Sequence, residues 1–323
     1  MDFLANYFGS LNPMSFLSAL PGNIAQGIIW GLMGLGVFLT FKLLNFADLS
    51  VDGSFATGGA VTAVMLINGC PVWATIIVAI LAGLAAGLVT GLLHTLLGIP
   101  DILAGILTQI ALYSINLNIM GKSNLPISYR NYTLVVSASN INMAILVGLG
   151  ICAVVIAAMY WYFGTEQGST IRSTGSNPAM SKAQGININF TKVIALALSN
   201  GLVALSGSLF AQYQGFADVG MGRGAIVIGL AAVIIGEAVF GRIFHNFALK
   251  MVSVSLGAII YYIVIQLVLT LGFDANLLKL LSASVVAVFL AVPYWKGRYF
   301  AKPAPKRQTR RAQTMLEIQN VSK

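Results

Sequence analysis

The sequence predicts an all-α polytopic membrane protein with about nine (8–10) transmembrane helices. Of its 323 residues, 58% are hydrophobic and only 8% charged, against about 25% in soluble chains, too few to cover a surface in water. The mean hydropathy is +0.87. The run Ile76–Leu93 is apolar without the strict alternation of a barrel strand, so each segment must satisfy its own backbone as a helix.

Spans of about 20 residues fit at roughly 22–44, 48–67, 72–97, 102–120, 143–163, 190–212, 224–241, 246–272 and 276–295. Clusters of Gly, Pro and Asn separate them: Asn68-Gly69-Cys70-Pro71, Gly98-Ile99-Pro100-Asp101, and the longer stretches 121–142, 164–189 and 214–224. Residues 1–21 lack the basic start of a signal peptide and contain Pro13; they read as an interfacial helix, with a full span as the alternative. Paired glycines such as Gly83 and Gly87, or Gly27, Gly31 and Gly34, predict helices packed closely in lipid.

The net charge of +9 is concentrated in a C-terminal tail, 296–314, with Lys296, Arg298, Lys302, Lys306, Arg307, Arg310 and Arg311. A juxtamembrane basic tail marks the cytoplasmic side and touches anionic lipid; it is not read as nucleic-acid binding. Counting spans back from it puts 164–189, Lys42 and Arg242 inside, and 121–142, Asp218 and Asp274 outside.

No catalytic set, metal site or cofactor site is expected. Cys70 and Cys152 are far apart, and His94 and His245 read as packing or interface residues. Gly121-Lys122-Ser123 resembles the end of a phosphate-binding loop, but Asn116 stands where the first glycine is required.

The informative polar residues are those set among apolar runs. Asn45-Phe46-Ala47-Asp48-Leu49-Ser50-Val51-Asp52 lies between two spans, where a carboxylate costs about 2.5–3.5 kcal/mol at a helix centre. A broken span here exposes backbone and a helix N-terminus toward a cavity. Asp48 reads either as a cap of the next helix or, with Asn45, Ser50 and Asp52, as part of a translocation pathway. Gln109, Tyr113, Asn116 and Met120 share one helical face, either lining a conduit or bonding between helices. Glu237 is expected to be interfacial or paired, and Asn200, Ser206 and Gln212 are weaker polar marks.

The segment Arg172 to Asn187 is a polar, small-residue island between long apolar runs, of a kind kept where something in the cytoplasm must touch it. Gly175-Ser176-Asn177-Pro178-Ala179 followed by Gly185-Ile186-Asn187, together with Asn45-Phe46-Ala47 and Asp48-Leu49-Ser50-Val51, resembles permease subunits of bacterial ATP-binding-cassette importers, in the branched-chain amino-acid, ribose and nucleoside permease family. The alanine after Asn177 comes one position earlier than in the family's loop. The likeness covers most of 22–295 and leans toward a less characterised branch resembling amino-acid importers.

The resemblance implies a translocation subunit in a bacterial cell membrane that works as a homodimer. It also implies two separate ATPase subunits and an extracytoplasmic binding lipoprotein that selects the solute. It makes 164–189 a cytoplasmic coupling loop, with Arg172, Gly175, Asn177, Pro178, Ala179, Met180, Gly185 and Ile186 meeting the ATPase. Asn177 or Ser176 is a candidate helix cap, and Pro178 suits a first turn. Residues 315–323 resemble the first strand of such an ATPase, as a fusion remnant or a chance likeness in a tail. The competing expectation is an ion-coupled secondary transporter or channel using Asp48, Asp52 and Glu237.

Overall fold

A computed structural model describes residues 13–130, 132–244 and 246–270, with 277, 280, 282–289 and 291. His245, the tail 296–314, residues 315–323 and most of the span expected at 276–295 lie outside the described residues.

The chain is mostly helical: α1 Pro13–Val37, α2 Val51–Ile67, α3 Val72–Thr95, α4 Asp101–Met120, α5 Ile141–Phe163, α6 Glu166–Ser176, α7 Pro178–Ala183, α8 Ile188–Gln214, α9 Ala225–Phe240 and α10 Phe247–Thr270. Two short strands, β1 Asn124–Pro126 and β2 Phe216–Asp218, pair antiparallel with Leu125 opposite Ala217. Six helical stretches among the described residues are long and apolar enough to cross a membrane, and α2 and α9 are shorter apolar helices. The nine spans expected are matched among the described residues by six full-length candidates and these two shorter helices, with the ninth largely undescribed. The boundary expected at residue 21 does not coincide with a helix end, because α1 runs from Pro13 through Pro21.

The stretch formed by α1 and the π-helical turn after it (Phe38–Leu43), together with α8, makes the centre of the bundle. The most apolar windows there are 83% and 78% buried, against 17% for α5 at the perimeter. Leu32, Met33, Leu35, Phe55, Leu196 and Leu209 are completely enclosed. Trp73, Leu81, Ile110, Leu146 and Val154 point outward, as lipid-facing side chains do.

Without a hydrophobic drive between helices in lipid, close backbone approach supplies the packing energy. Gly83, Gly87 and Gly91, one per turn on α3, lie against the α8 backbone at Asn200, Leu196 and Val193. Gly58 on α2 meets Ala204, and Gly207 on α8 meets Phe55, so each helix supplies a notch for the other. A methyl at any of these positions would overlap main-chain atoms that cannot rotate away.

The loops gather at two opposite ends of the bundle. At one, the β1–β2 pair joins 121–140 to the end of α8, with Ile127 N donating to Gly215 O (2.7 Å) and Val135 N to Gln212 Oε1 (3.0 Å). At the other, Lys42 pairs with Glu237 (2.8 Å). There His94 Nδ1 donates to Ile99 O (2.8 Å), leaving Nε2 to accept from Lys192 Nζ (2.9 Å).

Candidate functional site

The site begins where α1 breaks. The π-helical turn ends with Leu44 N on Leu39 O (3.0 Å) and Phe46 N on Thr40 O (2.9 Å). Asn45 then takes a left-handed backbone, φ 55°, which asparagine tolerates better than most residues. The chain turns back into the bundle and starts α2 beside Asn200, midway along α8. Asn45 itself is exposed at this turn, so its position is conformational.

Asp48 is 2% exposed. Its Oδ1 accepts from the backbone N–H (2.9 Å) and the hydroxyl of Ser50, and its Oδ2 accepts from Asn200 Nδ2 (2.8 Å). The carboxylate thus ties the start of α2 to the middle of α8. Ser50 is the capping residue of α2, and Asp48 serves it from two residues upstream. A turn of this kind satisfies donors that a helix start leaves unpaired.

Asp52 caps a different helix. Its oxygens accept from Gly224 N and Ile226 N (2.9 Å each), the first turn of α9. The loop between β2 and α9 dips into the bundle to make this possible: Gly222 packs on the Asp52 carbonyl and Met221 reaches Gly59. A carboxylate at a helix N-terminus also meets the positive end of the dipole.

Asp52 shares a small cavity, about 40 Å³, with Gln109, Tyr113, Asn116 and Arg223. Four of the seven residues proposed from sequence for a pathway thus converge, whereas Asn45, Asp48 and Ser50 do not line this cavity. Asn116, which borders this cavity, is fully buried with neither amide atom hydrogen-bonded. Tyr113 is partly exposed, and the Arg223 guanidinium stands 5.3 Å from its ring centroid. Arg223 was the residue that reading the sequence missed; Asn200, marked there only as a weaker polar residue, holds Asp48. Nothing in spacing links Arg223 to position 113; the inward dip of its loop does.

At the opposite end, 164–189 folds into α6 and α7. Thr165 caps α6, and Gly168, Ile171 and Thr174 face the bundle. Arg172 Nη2 donates to Phe163 O (3.0 Å), and its guanidinium lies 5.4 Å from the Phe247 ring centroid, so this cation anchors α6 to α5 and α10. Gly175 packs directly on the backbone of Leu43 and Leu44, at the α1 break. Asn177 Oδ1 accepts from Met180 N (3.1 Å), and Pro178 takes the first position of α7, where no N–H is needed. Ala179 is exposed and Met180 is 58% exposed, so α7 projects from the bundle. Gly185 ends it with φ 80°, which lets Ile186 N return to Ser181 O (3.1 Å).

Among the described residues no three of His, Cys, Asp or Glu stand together as metal ligands. The three carboxylates suggested for ion coupling are engaged: Asp48 with Ser50 and Asn200, Asp52 with the α9 backbone, Glu237 with Lys42. That arrangement disfavours an ion-coupled transporter.

Close-packed apolar helices, six of them among the described residues long enough to cross a membrane, define a multi-pass membrane protein. The chain matches, over residues 22–292, the family described as branched-chain amino acid transport system / permease component, and it belongs to that family. The tyrosine transport system permease protein of Clostridioides difficile (strain R20291) is 42% identical over 276 residues, 85% of this chain and 91% of that one. The D-allose transport system permease protein AlsC of Escherichia coli (strain K12) is 28% identical over 73% of this chain and 74% of its own. A solved structure, PsaBC from Streptococcus pneumoniae in complex with Fab, aligns with a TM-score of 0.38 at 19% identity, covering 81% of this chain and 95% of that one. The chain is a permease subunit of an ATP-binding-cassette transport system, a class that works with an ATPase and a binding protein.

Proposed function

We propose that the chain forms the translocation pathway of an importer for a small solute, an amino acid or similar, as a homodimer with two ATPase subunits and an extracytoplasmic binding lipoprotein. In this reading α6 and α7 are the coupling element, on the cytoplasmic side together with the C-terminus. Asn177, Pro178, Ala179, Met180, Gly185 and Ile186 present α7 to the ATPase. Gly175 transmits its motion, and Arg172 fixes the base of the element.

The observation that carries this is the seat of Gly175 on the Leu43–Leu44 backbone. A push on α7 reaches the α1–α2 break through main-chain contact, with no flexible side chain between. From that break Asp48 leads to α8, and Asp52 leads to α9 and the polar cavity. Packed elements with two discrete arrangements convey such coupling better than soft ones. The amino-acid assignment follows the relative with 42% identity.

The test is co-purification of the tagged permease from bacterial membranes, with 164–189 intact or replaced by a Gly-Ser linker. An ATPase is expected only with the intact loop. Met180→Glu, on the exposed face of α7, is expected to weaken capture without disturbing the bundle. Equal capture by all three proteins would remove α7 from the coupling role.

A further inference from the structure

At the end of the bundle that carries α6 and α7, a cavity of about 690 Å³ opens between the π-helical turn, α6, α9 and the start of α10. Phe38, Val233 and Val254, none more than 5% exposed, close its floor. Four cations border it: Lys42 from the π-helical turn, Arg172 from α6, Arg242 from the turn after α9, and Lys250 from α10. Among the described residues that line it, Glu237 is the only carboxylate, and Lys42 Nζ donates to both its oxygens (2.9 and 2.8 Å).

Arg172, Arg242 and Lys250 are therefore three positive charges around one cavity with no carboxylate to answer them. Arg172 is held in place by Phe163 O and the Phe247 ring, with donors of its fork to spare. Neither Arg242 nor Lys250 forms an ion pair or a side-chain hydrogen bond among the described residues. Lys250 also stands in the first turn of α10, where the helix dipole opposes a cation and favours an anion. A cleft bordered by one sign of charge over an apolar floor focuses its field and gathers counter-ions.

The turn between α9 and α10 shows what kind of anion fits. Phe240 and Phe244 stack there, 5.4 Å between ring centroids and 10° apart in plane, and Ile243, next to Arg242, is 68% exposed. Val239 on α9 and Leu249 on α10 are exposed as well, so the apolar surface runs from the turn onto the helices. Exposed apolar side chains beside cations are the composition of the hydrocarbon edge, where basic pockets between helices take lipid head groups. A free phosphate answers the charges and leaves this apolar surface unmatched; an amphiphile answers both.

We propose that this cavity holds the head group of an anionic phospholipid, its phosphate meeting Arg172, Arg242 and Lys250 and its acyl chains lying along the apolar surface of the α9–α10 turn. Leu43 borders the cavity and carries the backbone on which Gly175 rests, so a bound lipid braces α6 against the α1 break. The site is independent of the solute that the permease carries.

The test uses the full-length permease, with the ATPase it retains, purified in detergent and stripped of lipid. Dioleoylphosphatidylglycerol, dioleoylphosphatidylcholine and soluble glycerol 3-phosphate are titrated in turn, with bound lipid counted by native mass spectrometry and apparent Tm followed in parallel. Phosphatidylglycerol is expected to bind at least about tenfold more tightly than phosphatidylcholine and to raise Tm, and glycerol phosphate to have no effect. Arg242→Gln combined with Lys250→Gln should weaken phosphatidylglycerol about 25-fold, roughly fivefold per cation, and leave phosphatidylcholine unchanged. The same loss of charge at the opposite end, Lys122→Gln with Arg130→Gln, should change neither. Glu237→Gln, which frees Lys42, should tighten phosphatidylglycerol about fivefold, a gain that a misfolded protein cannot mimic. Equal binding of the two lipids, protection by glycerol phosphate equal to that by phosphatidylglycerol, or unchanged affinity in the Arg242→Gln, Lys250→Gln protein overturns the site. Loss of the ATPase from that protein with lipid binding intact also overturns it, and assigns the cavity to a protein contact.

Discussion

Replacing Asp48 with alanine removes the acceptor of three hydrogen bonds in a site only 2% open to solvent. The Ser50 hydroxyl has a second acceptor, Asn200 Oδ1, at 3.2 Å, and Asn200 Nδ2 keeps its bond to Leu196 O (3.0 Å). The Ser50 N–H and one amide hydrogen of Asn200 are left without partners. A buried unsatisfied donor costs about 1–3 kcal/mol, so the pair predicts a loss of about 2–4 kcal/mol after part of the carboxylate's burial cost is recovered. For a chain of this size that is roughly a 3–6 °C fall in apparent Tm. Asp48→Asn keeps an oxygen for Ser50 N, while Asn200 Nδ2 loses that acceptor and keeps Leu196 O, so a smaller loss than for alanine is expected. The assay is thermal unfolding in detergent, followed by size-exclusion fluorescence, in parallel with ATP-driven uptake in proteoliposomes. Loss of uptake is expected to track loss of folded protein. An Asp48→Ala protein with unchanged Tm and uptake reduced tenfold would show that Asp48 acts on the solute, and the bracing role would be wrong.

Asp52→Ala should free the first turn of α9, costing about 1–2 kcal/mol as a lost cap; amide exchange at 224–228 is expected to rise while α8 stays protected. Gly175→Leu should lower folded yield or uncouple ATP hydrolysis from uptake, because its side chain would occupy the Leu43–Leu44 backbone; wild-type coupling in that variant would contradict the tight seat. Lys42 and Glu237 form an exposed pair, with side chains 47% and 57% accessible, so a double-mutant cycle on thermal stability should return no more than about 1 kcal/mol. Gly207→Val should prevent assembly, seen as aggregation on size exclusion, since its branches meet the Phe55 carbonyl.

The helical membrane class and most helix positions were legible from composition and from runs such as Ile76–Leu93, because hydrocarbon leaves a spanning backbone almost no alternative to a helix. The stripe of Gln109, Tyr113 and Asn116 was legible too, because residues three and four apart on a helix share a face. So was the cap and proline of α7, since Asn177 and Pro178 act on their own next few residues. What Asp48 and Asp52 do was not. Two carboxylates four residues apart in sequence brace different helices, one α8 through Asn200 and one α9 through Gly224 and Ile226. Arg223 shares no local pattern with Gln109, Tyr113 and Asn116, and it joins them only because the loop before α9 descends between packed helices. Backbone periodicity is a local property that sequence carries openly. A polar group's partner in an apolar bundle is set by which helices can approach closely, and here glycine notches on α2, α3 and α8 decide that only once the whole chain has packed.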